Sequence, residues 1–136
     1  MAKLRLEIVT PESKAYSEEV DSVVIPGIEG ELGILPEHSP LMTLLNPGEL
    51  RVIKGGEEIR LAVGDGFVEV TPDKVAVLTD MAIDEANIDE SLAEQAMKSA
   101  EDALKNQHLG QEEYAALQAT LKNSLAQLRV KRRRHV

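Results

Sequence analysis

Residues 50–70 read LRVIKGGEEIRLAVGDGFVEV, and this stretch decides how the first part of the chain folds. Apolar and polar side chains alternate on both sides of Gly55-Gly56, as expected of two half-buried strands joined by a tight turn. Glycine pairs at such turns supply the positive φ angles that hairpins need. A second turn at Gly64-Asp65-Gly66 leads into another alternating run. The stretch therefore predicts an antiparallel sheet of short strands.

The same period of two extends over residues 1–83. Near the start, Leu4, Leu6 and Ile8 alternate with charged side chains, which is the pattern of a half-buried strand. Further short runs follow at spacings near ten residues, each ended by glycine or proline. Such spacing is typical of an antiparallel β-sandwich or flattened barrel.

The pattern changes to helical spacing near Asp84. Asn87 is the predicted N-cap, with Glu90 at the third helical position of a capping box. Gly110 closes a three-residue break at residues 108–110, and a second helix is predicted from there to the C-terminus. The apolar positions predicted to face each other are Leu92, Ala93, Ala96, Met97, Ala100, Ala103 and Leu104 in the first helix, and Ala115, Leu117, Leu121, Leu125 and Leu128 in the second.

The predicted fold class is therefore α+β. Residues 1–84 form the β-sandwich, and residues 85–136 form an antiparallel α-helical hairpin. Alanine supplies four of the seven stripe positions of the first helix, so each contact there removes little apolar area from water. Burial of apolar area contributes only about 25 cal/mol per Å². The hairpin is either a plain structural element or one that docks weakly enough to occupy two states.

Composition excludes several classes of protein. The 136 residues contain no cysteine, which excludes disulfides, thiol nucleophiles and thiolate metal sites. The net charge of −9 argues against nucleic-acid binding. No apolar run of about 18 residues is present, so direct membrane insertion is not expected.

Catalytic and metal-binding residues are not evident. His38, His108 and His135 lie in different elements without ligand spacing, and each is read as a structural or surface residue. The glycine-rich stretch at 27–33 lacks the lysine of a P-loop and carries acids where phosphate would lie. We expect no catalytic residue, no metal site and no cofactor.

An apolar segment and a basic tail remain. Residues 29–48 combine seven large apolar side chains with prolines and glycines, so they either reach the surface as an interface or cap the core. Ten basic and twenty-four acidic residues precede Arg129, whereas the last eight residues carry five cations and no acid. This tail either meets an acidic partner or is a solvated terminus.

Residues 29–52, EGELGILPEHSPLMTLLNPGELRV, followed by an alanine-rich hairpin with a basic end, closely resemble the ε subunit of the rotary F-type ATP synthase. The resemblance covers the whole chain. The second helix and its arginine-rich end are most similar to the cyanobacterial and plastid branch. The resemblance implies a non-catalytic central-stalk subunit that takes part in proton-driven ATP synthesis.

In that family the sandwich contacts the γ subunit and the c-ring at the foot of the stalk. The resemblance places Glu31, Gly33, His38, Leu41 and Met42 at or near this rotor-facing end. The hairpin in the family either folds on the sandwich or extends towards the catalytic α and β subunits, where it blocks ATP hydrolysis.

The resemblance also assigns the tail a role. Its cations would contact acidic loops of β or γ in the extended state, and they are Arg129, Lys131, Arg132, Arg133 and Arg134. Some bacterial relatives bind ATP through Ile or Leu, Asp, two variable residues, Arg and Ala. Residues 88–93 keep the aspartate, Asp89, but have Leu92 in place of the arginine, so only a weak remnant of a nucleotide site is expected.

Two alternatives to this reading are an adaptor or chaperone-like binding module that uses the apolar segment and the tail, and an enzyme, for which no candidate residues exist. The resemblance implies a peripheral location on the cytoplasmic or stromal side of a thylakoid membrane, or otherwise at a bacterial inner membrane.

Overall fold

The computed structural model describes residues 3–106 and 108–132, which form a β-sandwich followed by two helices, so the predicted fold class is confirmed. The strands are β1 Leu4–Val9, β2 Lys14–Val20, β3 Ser22–Gly27, β4 Gly30–Ile34, β5 Leu41–Leu45, β6 Gly48–Lys54, β7 Glu57–Val63, β8 Gly66–Thr71, β9 Lys74–Thr79 and β10 Ala82–Asp84. A 3-10 turn, Glu85–Asn87, leads to α1, Glu90–Leu104, and α2, Gln111–Arg132. None of the described helices is long and apolar enough to cross a membrane.

The strands follow the spatial order β10-β7-β6-β3-β5-β8-β9-β1-β2, and β4 pairs with β3 outside this path. Neighbours are antiparallel except β1 and β9, which run parallel. Lys54 on β6 forms an ion pair with Glu18 on β2, which links strands that are far apart along this path. The sheet therefore curls back on itself and encloses one face.

The core lies inside this curled sheet and is aliphatic. The predicted alternation of β1 is confirmed, because Leu4, Leu6 and Ile8 are buried while the side chains between them lie further out. Burying a large aliphatic side chain contributes about 1.5–3 kcal/mol. The other buried members are Val20, Val23, Ile25, Ile34, Leu45, Leu50, Val52, Leu61, Val63, Val68, Val70, Val75 and Val77.

Glycines are required at two of the turns that the sequence predicted. Gly55 and Gly56 have φ angles of 60° and 82°, which L-residues rarely adopt, and they join β6 to β7. A Cβ on Gly66 would lie 1.8 Å from the carbonyl oxygen of Leu78, so the close approach of β8 to β9 needs a glycine there.

The predicted start of the first helix is wrong. Asn87 belongs to the 3-10 turn, and α1 is capped by Asp89, whose carboxylate accepts a hydrogen bond from the Leu92 backbone N–H at 3.0 Å. Asp84 accepts from the Ala86 N–H at 3.0 Å and starts the preceding 3-10 turn. The 3-10 turn and α1 each begin at an aspartate whose carboxylate accepts a hydrogen bond from a free backbone N–H of the following turn. The capping-box spacing around Asn87 did not predict these two caps.

The predicted three-residue break between the helices is also wrong. Residues 105–110 separate them, and Gly110 lies immediately before α2 rather than ending α1. The Gly110 carbonyl accepts from the Tyr114 N–H at 2.9 Å, and the Glu113 carboxylate accepts from the Gly110 N–H at 3.5 Å. Gly110 thus fills the N-cap position of α2.

The second helix, α2, packs on β6 and β7, and α1 packs on α2. The predicted stripe of α2 is right in part: Leu128 is buried and Leu117 and Leu121 are half-buried, whereas Ala115 and Leu125 are exposed. The other buried side chains of α2 are Ser124, Ala126 and Val130. In α1, Leu92 is exposed, and Ala93 and Ala100 are buried. The buried side chains of α2 include some that pack on β6 and β7. A prediction based only on contacts between the two helices does not identify them.

Candidate functional site: an apolar face and a docked hairpin

Residues 29–48 divide between the two readings that the sequence left open. Ile34 and Leu45 are buried in the core, and Leu32 and Leu41 pack against it. Leu35, Met42 and Leu44 are exposed. Two short strands, β4 and β5, therefore present alternate side chains to the core and to solvent.

The outward side chains of four adjacent strands form an apolar face. Leu44 on β5 pairs with Phe67 on β8, Phe67 pairs with Leu78 on β9, and Leu78 pairs with Val9 on β1. Met42 lies two residues from Leu44 on the same side of β5. Leu44 is 58% exposed, Phe67 39% and Leu78 40%. We call Val9, Met42, Leu44, Phe67 and Leu78 the apolar face.

Shallow depressions lie on both sides of Phe67. Met42, Thr43 and Leu44 line one of them, and Val9, Pro11 and Leu78 are among the residues that line the other. Asp65 and Asp80 also line the second depression, and Glu69 is the cross-strand neighbour of Met42. An apolar surface with an acidic rim is suited to a partner whose apolar contact is flanked by basic groups.

The five residues assigned to the rotor-facing end lie in different surroundings. Glu31 is exposed on β4 and pairs with Arg51, its Oε2 lying 3.1 Å from Nη1. Gly33 is exposed on the same strand, and His38 is half-buried with Nδ1 2.8 Å from the Ser39 carbonyl oxygen. Of the other two, Met42 belongs to the apolar face and Leu41 packs against the core.

Sequence reasoning included Leu44 in the apolar segment at residues 29–48 but missed Phe67 and Leu78 as functional candidates. Each lies out of phase with the buried positions of its strand, and that phase was visible in the sequence. Their adjacency depends on the β5-β8-β9 register, which joins residues far apart in the chain.

The hairpin covers a different side of the sandwich. Val130 of α2 is fully buried in a small cluster with Ala62 of β7 and Ile88, against which Met81 and Ile83 also pack. The Gln127 amide lies 3.3 Å from the Met81 sulfur. A small cluster of this kind buries little apolar area, so it contributes modestly to holding the hairpin.

Charged groups are buried on the strands beneath the hairpin. Glu49 on β6 and Arg60 on β7 are each only 6% exposed, and Arg60 Nη2 lies 2.5 Å from Glu85 Oε2. Arg60 Nη1 and Glu49 Oε2 are 3.9 Å apart. Water would solvate such groups if α2 left, which lowers the cost of undocking.

The C-terminal cations that the structure describes contact this chain's own residues. The Lys131 ammonium donates to the Glu85 carbonyl at 3.2 Å. Arg132 pairs with Glu90, whose Oε2 lies 2.5 Å from Nε, and also with Glu94. Arg129 is exposed and lies beside Asn46 and Pro47, which join β5 to β6. Arg133, Arg134 and His135 lie outside the described residues.

These contacts shift two pKa values. Hydrogen bonds from Lys98 and Arg132 lower the pKa of Glu94, and the hydrogen bond to Glu90 raises the pKa of Arg132. Both groups are solvent-exposed, so water and salt screen these pairs and each holds the hairpin only weakly.

The nucleotide remnant has the geometry of a helix cap. The Asp89 carboxylate is engaged by the Leu92 N–H, and the Leu92 side chain is 63% exposed without any charge to offer a phosphate. The described residues contain no group of three or more metal-ligating side chains placed to hold an ion.

We expect calorimetry of the full chain to detect no saturable ATP binding below about 1 mM, an affinity of roughly −4 kcal/mol. The reason is that Asp89, the aspartate of the ATP-binding motif, caps α1, and Leu92 stands where that motif has its arginine. Leu92→Arg is the matched variant in which affinity would rise if this single position is what is missing. Micromolar binding by the unaltered chain would contradict the expectation.

The comparisons with known proteins cover the whole described chain. A family model described as the ATP synthase Delta/Epsilon chain, beta-sandwich domain, matches residues 3–85. A second, described as the ATP synthase Delta/Epsilon chain, long alpha-helix domain, matches residues 86–132.

Similar curated relatives carry the name ATP synthase epsilon chain. That of Dehalococcoides mccartyi (strain CBDB1) is 48% identical over 137 residues, covering 99% of this chain and 98% of the relative. That of Herpetosiphon aurantiacus is 45% identical, covering 93% and 96%. The epsilon chain 2 of Ralstonia nicotianae is 42% identical, covering 98% and 99%.

Solved structures share the fold. A chain in the Euglena gracilis mitochondrial ATP synthase, OSCP/F1/c-ring in rotational state 1, superposes with a TM-score of 0.74 at 24% identity, covering 93% of this chain and 79% of that one. A chain in the Tetrahymena thermophila mitochondrial ATP synthase central stalk and c-ring gives 0.60 at 14% identity, covering 95% and 96%.

Proposed function

Because the chain belongs to the delta/epsilon-chain family of the F-type ATP synthase, we propose that it is a non-catalytic central-stalk subunit that couples the catalytic head to the c-ring and inhibits ATP hydrolysis through its hairpin. Relatives named ATP synthase epsilon chain at 42–48% identity support this role. Residues 1–84 and 85–136 are proposed as its coupling and regulatory units.

The observation that carries the proposal is the separation of two surfaces. The apolar face lies on β5, β8, β9 and β1, whereas α2 covers β6 and β7. One side of the sandwich can therefore stay docked on a partner while the hairpin leaves the other side.

We assign the apolar face to the γ subunit. Its exposed Met42, Leu44, Phe67 and Leu78 suit a stalk partner that stays bound, because apolar contacts at the centre of an interface supply most of the affinity. Strand β4, with Glu31 and Gly33, and the loop that follows it, with His38, are assigned to the c-ring, where polar and shape contacts suffice for a rotor joint. Leu41 supports this loop from the core side.

The tail is assigned to inhibition. With the hairpin extended, its cations would meet acidic loops of the catalytic α and β subunits or of γ, in charge-assisted contacts that suit guanidinium groups. Because exposed ion pairs are individually weak, inhibition would depend on all five cations together and not on any single one.

The proposed location is peripheral, on the cytoplasmic side of a bacterial inner membrane. The relatives reported above are bacterial, which supports this choice. Membership of the cyanobacterial or plastid branch, with chloroplast-type F1 and a thylakoid membrane, stays a prediction from the sequence.

Removing residues 89–136 is expected to leave a folded sandwich that binds γ but no longer inhibits. The main core lies entirely between Leu4 and Val77, so the deletion takes away none of its members. The measurement is ATPase activity of an αβγ assembly with the full or the shortened chain, with co-purification as the binding control.

Equal inhibition by the shortened chain would contradict the inhibitory role of the hairpin. Failure of both chains to join αβγ and a c-ring would instead favour the free-standing binding module.

A further inference from the structure

Arg132 takes part in two different interactions if the proposed function holds. In the docked hairpin its guanidinium contacts Glu90 and Glu94, and in the extended hairpin it would be one of the cations that meet acidic partner loops. The structure contains the contact of Arg132 with Glu90 and Glu94. The contact of Arg132 with an acidic partner loop rests on the proposed function.

The two acids are placed as a pair. Glu90 and Glu94 are four residues apart on α1, so they lie on one face over successive turns. The antiparallel hairpin brings this first turn of α1 beside the last turn of α2. Acids near a helix N-terminus and a cation near a C-terminus each complement the helix dipole, so both partners are favoured where they stand.

The same end of α2 makes the closest contacts with the rest of the chain. Val130 is fully buried, and Lys131 bonds the Glu85 carbonyl. By contrast, residues 111–116 at the start of α2 are all exposed. Release of the hairpin therefore depends on the C-terminal turn, where Arg132 is held.

We propose that Glu90 and Glu94 act as an internal substitute for the acidic partner surface, so that hairpin closure and inhibition compete for Arg132. The two acids present paired carboxylates to the guanidinium, as an acidic loop of a partner would. While they hold it, the tail is one cation short of its full charge. A change that weakens this contact both opens the hairpin and frees the cation.

The test uses the full chain with Glu90→Gln and Glu94→Gln. The control is Glu101→Gln and Glu112→Gln, which removes the same charge from exposed acids of α1 and α2 that form no ion pair with the described cations. Because the chain has no cysteine, labels at Glu57→Cys and Thr120→Cys report the distance between sandwich and α2 by electron resonance or fluorescence transfer.

The double variant Glu90→Gln with Glu94→Gln is expected to raise the ratio of open to closed hairpin about fivefold, as the loss of two exposed ion pairs allows. It is also expected to inhibit an αβγ assembly at a correspondingly lower concentration. The control is expected to leave both unchanged. A third variant, Arg132→Glu with Glu90→Lys and Glu94→Gln, is expected to close again through the swapped pair yet inhibit less than the parent.

The possible results separate the two ideas. An unchanged ratio of open to closed hairpin in Glu90→Gln with Glu94→Gln would overturn the proposal that these two acids hold the hairpin closed. The proposed function would still stand. A raised ratio with unchanged inhibition would overturn the competition and the inhibitory role of the tail together, while closure by Glu90 and Glu94 would stand as a measured fact.

Discussion

Phe67→Asp is expected to lower the affinity of this chain for the γ subunit by about a hundredfold, without unfolding the sandwich. Phe67 is the centre of the apolar face, with Leu44 and Leu78 as its cross-strand neighbours. Central aromatic residues of an interface often account for 2 kcal/mol or more, and a carboxylate buried there adds a desolvation cost. The dissociation constant can be measured by calorimetry or by surface-based binding with purified γ.

Leu92→Asp is the matched control, because it places the same charge at an exposed apolar residue that lies on α1 and away from the apolar face. It is expected to leave γ binding within about twofold. Thermal unfolding should change little for either variant, since both side chains are partly solvated. Unchanged affinity in Phe67→Asp would show that the apolar face is not the stalk contact.

Val130→Asp is expected to release the hairpin almost completely. Val130 is fully buried against Ala62 and Ile88, where a carboxylate would have no partner. Burying an unpaired charge costs several kcal/mol, more than the small cluster contributes, so the closed fraction should fall more than a hundredfold. The same pair of labels on the sandwich and α2 measures this fraction.

Leu125→Asp on the same helix is the control, because that side chain is largely exposed and should tolerate the charge. Strand amides should stay protected from hydrogen exchange in Val130→Asp, since the main sandwich core contains no residue of α2. A closed hairpin in this variant would mean that the ion pairs of Arg132 and the contacts of Lys131 suffice to hold it.

Sequence patterns predicted the local structure well for physical reasons. The alternation at Leu4, Leu6 and Ile8 predicts a strand with one buried face, and the Gly55-Gly56 pair predicts the tight turn between β6 and β7. Both features depend only on neighbours in the chain. Helix limits were less accurate. Asn87 and Asp89 are both good caps, and which of them caps α1 depends on how the chain leaves β10.

The sequence by itself determined the α+β class, the two periods, the absence of thiol chemistry and the concentration of positive charge at the end of an acidic chain. Each of these follows from residue type and spacing. Tertiary structure alone decided that Leu44, Phe67 and Leu78 are neighbours, that α2 rather than α1 packs on the sheet, and that Arg132 is held by Glu90 and Glu94. These contacts join residues at least 11 positions apart, so they are set by strand register and helix docking, which no local pattern encodes.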